Sequence, residues 1–75
     1  MIAIKTQEDE IIFNPARIYE ISNYGDYKVV AVDARKKEHI LGTYSTFKQA
    51  TEEVEKIFNA MEHGRLIYRM SEGGK

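Results

Sequence analysis

The sequence predicts an α+β domain: a twisted, mostly antiparallel sheet of about five to six strands covered by one amphipathic helix, in the order βββββαβ. Three observations carry this reading. Five short apolar or alternating segments precede residue 46. One segment with helical 3–4 spacing follows, with a cap signal at each end. A last alternating segment comes after it. A sheet of this kind, twisted strongly enough, could curl into a partial barrel. Residues 1–70 are expected to form a single domain, and 71–75 a flexible polar tail.

Met1 to Thr6 alternates, with Ile2 and Ile4 on one face. That is a half-buried strand. Gln7-Glu8-Asp9-Glu10 is a polar turn, and Ile11-Ile12-Phe13 is a strand that would pair back. Asn14-Pro15 turns the chain, because proline fixes its own φ and restricts the residue before it. Arg17 to Ser22 reads as an edge strand, since its two faces are poorly separated by polarity. Asn23-Tyr24-Gly25-Asp26 is a turn, with Gly25 suited to a positive φ. Tyr27 to Ala34 holds Val29, Val30 and Val32 and is apolar on both faces, so it belongs at the centre of the sheet. Arg35-Lys36-Lys37-Glu38 is a hairpin tip. Ile40 to Ser45 returns, with Gly42 marking a bulge or a close contact.

Thr46 is a good N-cap, and Gln49 three residues on completes the T-x-x-Q form of a capping box. Phe47, Ala50, Val54, Ile57, Phe58 and Met61 supply the apolar stripe. Glu52 and Lys56 form an i,i+4 pair. Gly64 ends the helix in the left-handed region. Arg65 to Met70 alternates again as the last strand.

Composition narrows the function. The chain has 75 residues, no cysteine, and eleven Lys and Arg against twelve Asp and Glu. One small core is all that this length supports. A disulfide scaffold and a cysteine zinc site are excluded, and so is the globally basic character of a typical nucleic-acid binder. The Met1-Ile2-Ala3-Ile4-Lys5 start does not read as a signal peptide, and the expected location is cytoplasmic. With no staple to add stability, a homodimer is a natural source of further burial.

Leu41-Gly42-Thr43-Tyr44, Thr46, Ala50, Val54, Ile57, Gly64, Tyr68 and Met70 form a pattern that resembles small phage- or prophage-encoded proteins of low-GC Gram-positive bacteria. Those proteins share an L-G-x-Y-x-T/S segment, an amphipathic helix with Ala early and Val or Ile later, and a closing Y-x-M-P. The match covers residues 41–70, and Ser71 stands where the pattern has proline. The resemblance implies no reaction and no catalytic residue.

Candidate sites are few. His39 and His63 lie far apart and read as solvated side chains, since a metal needs three or four grouped ligands. Glu8-Asp9-Glu10 and Glu52-Glu53-Glu55 read as solvated surface rather than a carboxylate pair in a cleft. Ser22, Ser45 and Ser71 lack a nucleophile elbow, and no glycine-rich loop opens a helix. The expectation is therefore no enzyme, no metal and no cofactor. Five tyrosines are many for this length. Tyr44 and Tyr68 are expected under the helix with hydroxyls at the rim. Tyr19, Tyr24 and Tyr27, with Arg17, are the candidate interface, because Tyr and Arg bury large areas while keeping a polar handle. The leading expectation is a non-enzymatic module that binds a protein partner or itself through this tyrosine-rich face or a strand edge. The alternative is single-stranded nucleic-acid or nucleotide binding through Arg35, Lys36 and Lys37 at the hairpin tip, with Arg17, Lys28, Tyr24 and Tyr27 beside them.

Overall fold

The elements follow in the expected order: β1 (Ala3–Lys5), β2 (Ile11–Phe13), β3 (Arg17–Asn23), β4 (Asp26–Val32), β5 (Glu38–Tyr44), α1 (Phe47–Glu62) and β6 (Ile67–Arg69). The computed structural model describes residues 2–72, apart from the Asn23 side chain. The fold is α+β, but the strands do not make one sheet. They form two three-stranded sheets, β2-β1-β6 and β3-β4-β5, and neither closes into a barrel. β1 pairs antiparallel with β2 and parallel with β6; the other sheet is antiparallel throughout. β1 takes its second neighbour from β6 at the far end of the chain, which gives β1 and β2 a sheet of their own beside the meander.

β4 is central, as its two apolar faces require. Val29 and Ala31 point toward the helix with Ile18, and all three pack in one core with Leu41, Tyr44, Ala50 and Ile57. Val30 points the other way, yet is only 2% exposed. Its register partners Tyr19 and Ile40 flank it on that outer face. Tyr24 (φ 48°) and Gly25 (φ 87°) both take positive φ between the paired Asn23 and Asp26. This is the two-residue mirror turn whose twist suits a hairpin.

β5 carries the bulge expected at Gly42. Val29 faces Gly42 and Val30 faces Ile40, so Leu41 is the extra residue. A Cβ on Gly42 would lie 2.9 Å from the Tyr44 hydroxyl and 3.0 Å from Gln7 Cδ, so any side chain there would push those hydrogen-bonded groups aside.

Thr46 caps α1, accepting from the Gln49 N–H at 3.1 Å. The Gln49 side chain does not return to the cap; its Oε1 accepts from Ser45 Oγ. Gly64 (φ 70°) closes the other end in a Schellman arrangement: Arg65 N–H donates to Ala60 and Gly64 N–H to Met61. Two expectations fail on this helix. The buried face is Ala50, Glu53, Ile57 and Ala60. Glu53 is 2% exposed, not solvated surface, whereas Phe47 (60%), Phe58 (62%) and Met61 lie exposed. The apolar arc of the helix is wider than the sheet beneath it. Glu53 falls on the covered side, and the outer apolar residues overhang β3.

Three smaller corrections follow. Among the described residues the ion pairs are Lys5–Asp9 at 3.5 Å and Asp33–His39, so Glu52 and Lys56 are not joined. His39 is half-buried against Asp33 rather than solvated. Ser71 is bonded into the fold and is no part of a tail. Residues 73–75 lie outside the described residues.

Candidate interaction surface

The densest polar cluster lies where α1, β5 and the chain after β6 meet. Glu53 Oε2 accepts from the Tyr68 hydroxyl at 2.7 Å and from Ser71 N–H at 2.9 Å. The Ser71 carbonyl accepts from the Tyr44 hydroxyl at 3.0 Å and from Gln7 Nε2 at 2.7 Å. Gln7 Oε1 in turn accepts from Thr43 N–H at 2.7 Å, and Gln7 N–H donates to Leu41 O. Burial, then the nearby Glu53 carboxylate, pushes both tyrosine hydroxyls well above their ordinary range. They stay neutral and act as donors. No buried side-chain polar atom among the described residues lacks a partner. Such a closed network locks structure. Tyr44 and Tyr68 pack on the core as expected, and their hydroxyls are engaged in part-buried hydrogen bonds at its margin.

The hairpin tip is built around Asp33. Its Oδ1 accepts from the Arg35 and Lys37 N–H groups, at 2.8 and 3.0 Å, and its Oδ2 lies 2.9 Å from His39 Nε2. The His39 hydrogen bond, with the Lys37 N–H second, lowers the Asp33 pKa to about 2. Arg35, Lys36 and Lys37 are exposed, as expected, but they fan around an ionised carboxylate. Lys28, on the outer face of β4, and Tyr27, on its inner face, cannot share one surface with that tip. An open cavity of about 540 Å³ lies beside the tip, lined among others by Gln7, Glu8, Glu10, Lys37 and His39. Among the described residues no three His, Asp or Glu side chains are grouped to hold a metal ion.

The proposed interface residues divide by strand parity. Arg17 and Tyr19 share the outer face of β3. The Arg17 guanidinium sits 4.9 Å from the Tyr19 ring centroid, and the Tyr19 hydroxyl donates to Glu38 Oε2 at 2.9 Å. That hydrogen bond holds the Tyr19 hydroxyl above its usual pKa. Tyr27 is on the opposite face, edge-on to Phe47 with ring centroids 6.0 Å apart. Tyr24 stands fully exposed on the β3–β4 turn. The four residues therefore surround β3 rather than form one patch.

β3 is also the free edge of its sheet. Among the described residues no strand pairs with its outer side. All seven residues stay in register with β4, with no bulge and no proline. Above this edge, Thr51 Oγ1 donates to Glu20 Oε1 at 3.0 Å. Farther along the helix, Val54, Ile57, Phe58 and Met61 join Pro15, Ala16 and Ile18 in an apolar groove of about 270 Å³. Sequence reasoning missed this groove. Its signal was present: Val54, Phe58 and Met61 widen the apolar arc of the helix beyond Ala50, Ile57 and Ala60.

No family model, no curated protein and no solved structure matches the chain. No helix among the described residues is long and apolar enough to cross a membrane.

Proposed function

We propose that this protein is a non-enzymatic cytoplasmic interaction module that binds a protein partner by strand addition to β3. The observation that carries the reading is the bare edge itself. An unpaired strand presents a row of N–H and C=O groups that template another strand. Natural sheets blunt such edges with proline, bulges or charged side chains; β3 has no proline and no bulge, and its two charges are engaged, Arg17 over the Tyr19 ring and Glu20 with Thr51. Tyr24 adds support. A non-glycine residue at positive φ is uncommon, and Asn or Gly is the cheaper choice in this turn. A fully exposed tyrosine there contributes contact area to a partner. Arg17 and Tyr19, already stacked, flank the edge as preordered side chains.

In-cell crosslinking tests the reading. A photoreactive residue at Ser22 or Tyr24 is expected to give a few discrete protein adducts, lost when Tyr19→Lys and Ile21→Lys are combined. Equal adduct yield from Glu8, beside the opposite edge, would overturn it.

A further inference from the structure

We infer that the partner of the β3 flank is a second copy of this chain, docked through a helix seam that the monomer leaves open. The inference deepens the strand-addition reading and rests on it for the β3 half of the contact. The first observation is spacing. Phe47, Thr51, Val54, Phe58 and Met61 alternate four and three residues apart, the spacing of a coiled-coil seam. The residues that face the chain's own core, Ala50, Glu53, Ile57 and Ala60, form a second row. The two rows adjoin: Phe47 touches Tyr27, Thr51 bonds Glu20 and Val54 packs on the core, so the part of the seam left uncovered is its outer flank, chiefly Phe47, Phe58 and Met61.

The seam is self-complementary. One end carries a knob, the exposed Phe47. The other end, about 20 Å away at 1.5 Å per residue, borders the apolar groove of Pro15, Ile18, Phe58 and Met61. An antiparallel copy sets each Phe47 against the other copy's groove, about a dyad near Val54. Knob and hole at opposite ends of one stripe are what an isologous contact needs. Charge agrees. Lys48 and Glu62 flank the same side of the seam at its two ends, and neither makes an ion pair among the described residues. Antiparallel docking brings each Lys48 beside the other copy's Glu62, twice over.

The strand edge fits the same dyad. Thr51 reaches Glu20, while Val54 to Met61 lie over Pro15 to Ile18, so α1 runs antiparallel to β3. A twofold axis normal to the sheet beside Tyr19 then pairs the two β3 strands antiparallel, with like faces aligned. α1 packs on β3 and β4 to a similar extent and less on β5. A helix centred between two strands about 4.8 Å apart, repeated across a new β3–β3 pair, gives helix axes about 10 Å apart. Packed helices lie 8–10 Å apart. Both halves of the contact can therefore close together. Each is needed, since a standard interface takes about 800 Å² per partner and a single helix stripe offers less.

Sedimentation velocity across a concentration series tests this. The wild-type chain is expected to dimerise. Phe58→Lys leaves the monomer folded, because the side chain is exposed, and is expected to weaken the dimer at least about a hundredfold by placing a charge in the seam. Lys48→Glu or Glu62→Lys alone is expected to weaken it roughly tenfold, and the double reversal to restore it. A wild-type monomer at millimolar concentration overturns the inference, and the crosslinking from Ser22 and Tyr24 then judges strand addition alone. A dimer indifferent to Phe58→Lys and to the charge reversals also overturns it. If those variants do dissociate the dimer but β3 amides exchange hydrogen equally fast in dimer and monomer, the seam stands and strand addition fails.

Discussion

The two edges of the β3-β4-β5 sheet receive opposite treatment. The β5 edge is closed by several means at once. A bulge at Leu41 breaks its ladder, Gln7 bonds both Leu41 O and Thr43 N–H, and Gly42 makes room for the Gln7 and Tyr44 side chains. The Glu53–Tyr68–Ser71 tie anchors that arrangement from the helix side. The β3 edge has an intact register and no bulge, and among the described residues no strand pairs with it. The same sheet thus shows what protection requires and where it has been withheld. Exposure along β3 is selective, because the means of closing an edge are in use on the other edge of the same three-stranded sheet.

The largest effect is expected on the closed side. Glu53→Ala removes the acceptor for the Tyr68 hydroxyl and the Ser71 N–H in a buried site, and should cost about 3 kcal/mol or more in urea unfolding. A loss under about 1 kcal/mol would mean that the network only decorates the core. The network also sets an alkaline limit. Tyr44 and Tyr68 have folded pKa values raised above the ordinary value of about 10. Their contribution is fully present below that pH and is lost as pH rises beyond it. Thermal melts should therefore fall steadily above about pH 10, and absorbance at alkaline pH should show late-titrating tyrosines. Gln7→Ala should cost about 2 kcal/mol and raise hydrogen exchange at Thr43. It would make the β5 edge resemble β3, so self-association with a new interface is the expected accompaniment. The smallest change lies on the open side. Tyr24→Asn relieves positive φ at an exposed residue and should stabilise the monomer by about 0.5–1 kcal/mol while weakening partner capture. Unchanged capture would remove Tyr24 from the surface.

The local signals in this sequence were strong. Thr46 and Gly64 bound the helix, the Val29–Ala31 run marks the central strand, Gly42 marks the bulge, and the mixed faces of Arg17–Ser22 mark an edge. Each is a property of neighbours in the chain. What was not legible depends on distant partners. The parallel β1–β6 pairing and the division into two sheets require knowing which strand meets which. Glu53 reads as surface by residue type and becomes core only because Tyr68 and Ser71 arrive from the far side of the helix. The tyrosines were singled out by number, but parity along β3 and β4 set Tyr19 and Tyr27 on opposite faces. The apolar groove arises where the helix outreaches the sheet, a matter of relative width that no single segment encodes.

The Gln7–Ser71 bond spans 64 residues of chain. The meander closes through tight local turns and the helix is local by nature, while joining residues 7 and 71 carries the loop-closure entropy of nearly the whole domain. Contacts of that separation form slowly. Refolding is therefore expected to join Gln7 to Ser71 late, with the β5 edge uncovered until then, which pulse-labelled hydrogen exchange at Thr43 would show. For that interval a second edge is open, and under the strand-addition proposal the molecule can then grow into chains rather than stop at pairs. Its propensity to clump is set by how quickly its two ends find each other, a quantity that equilibrium stability does not report.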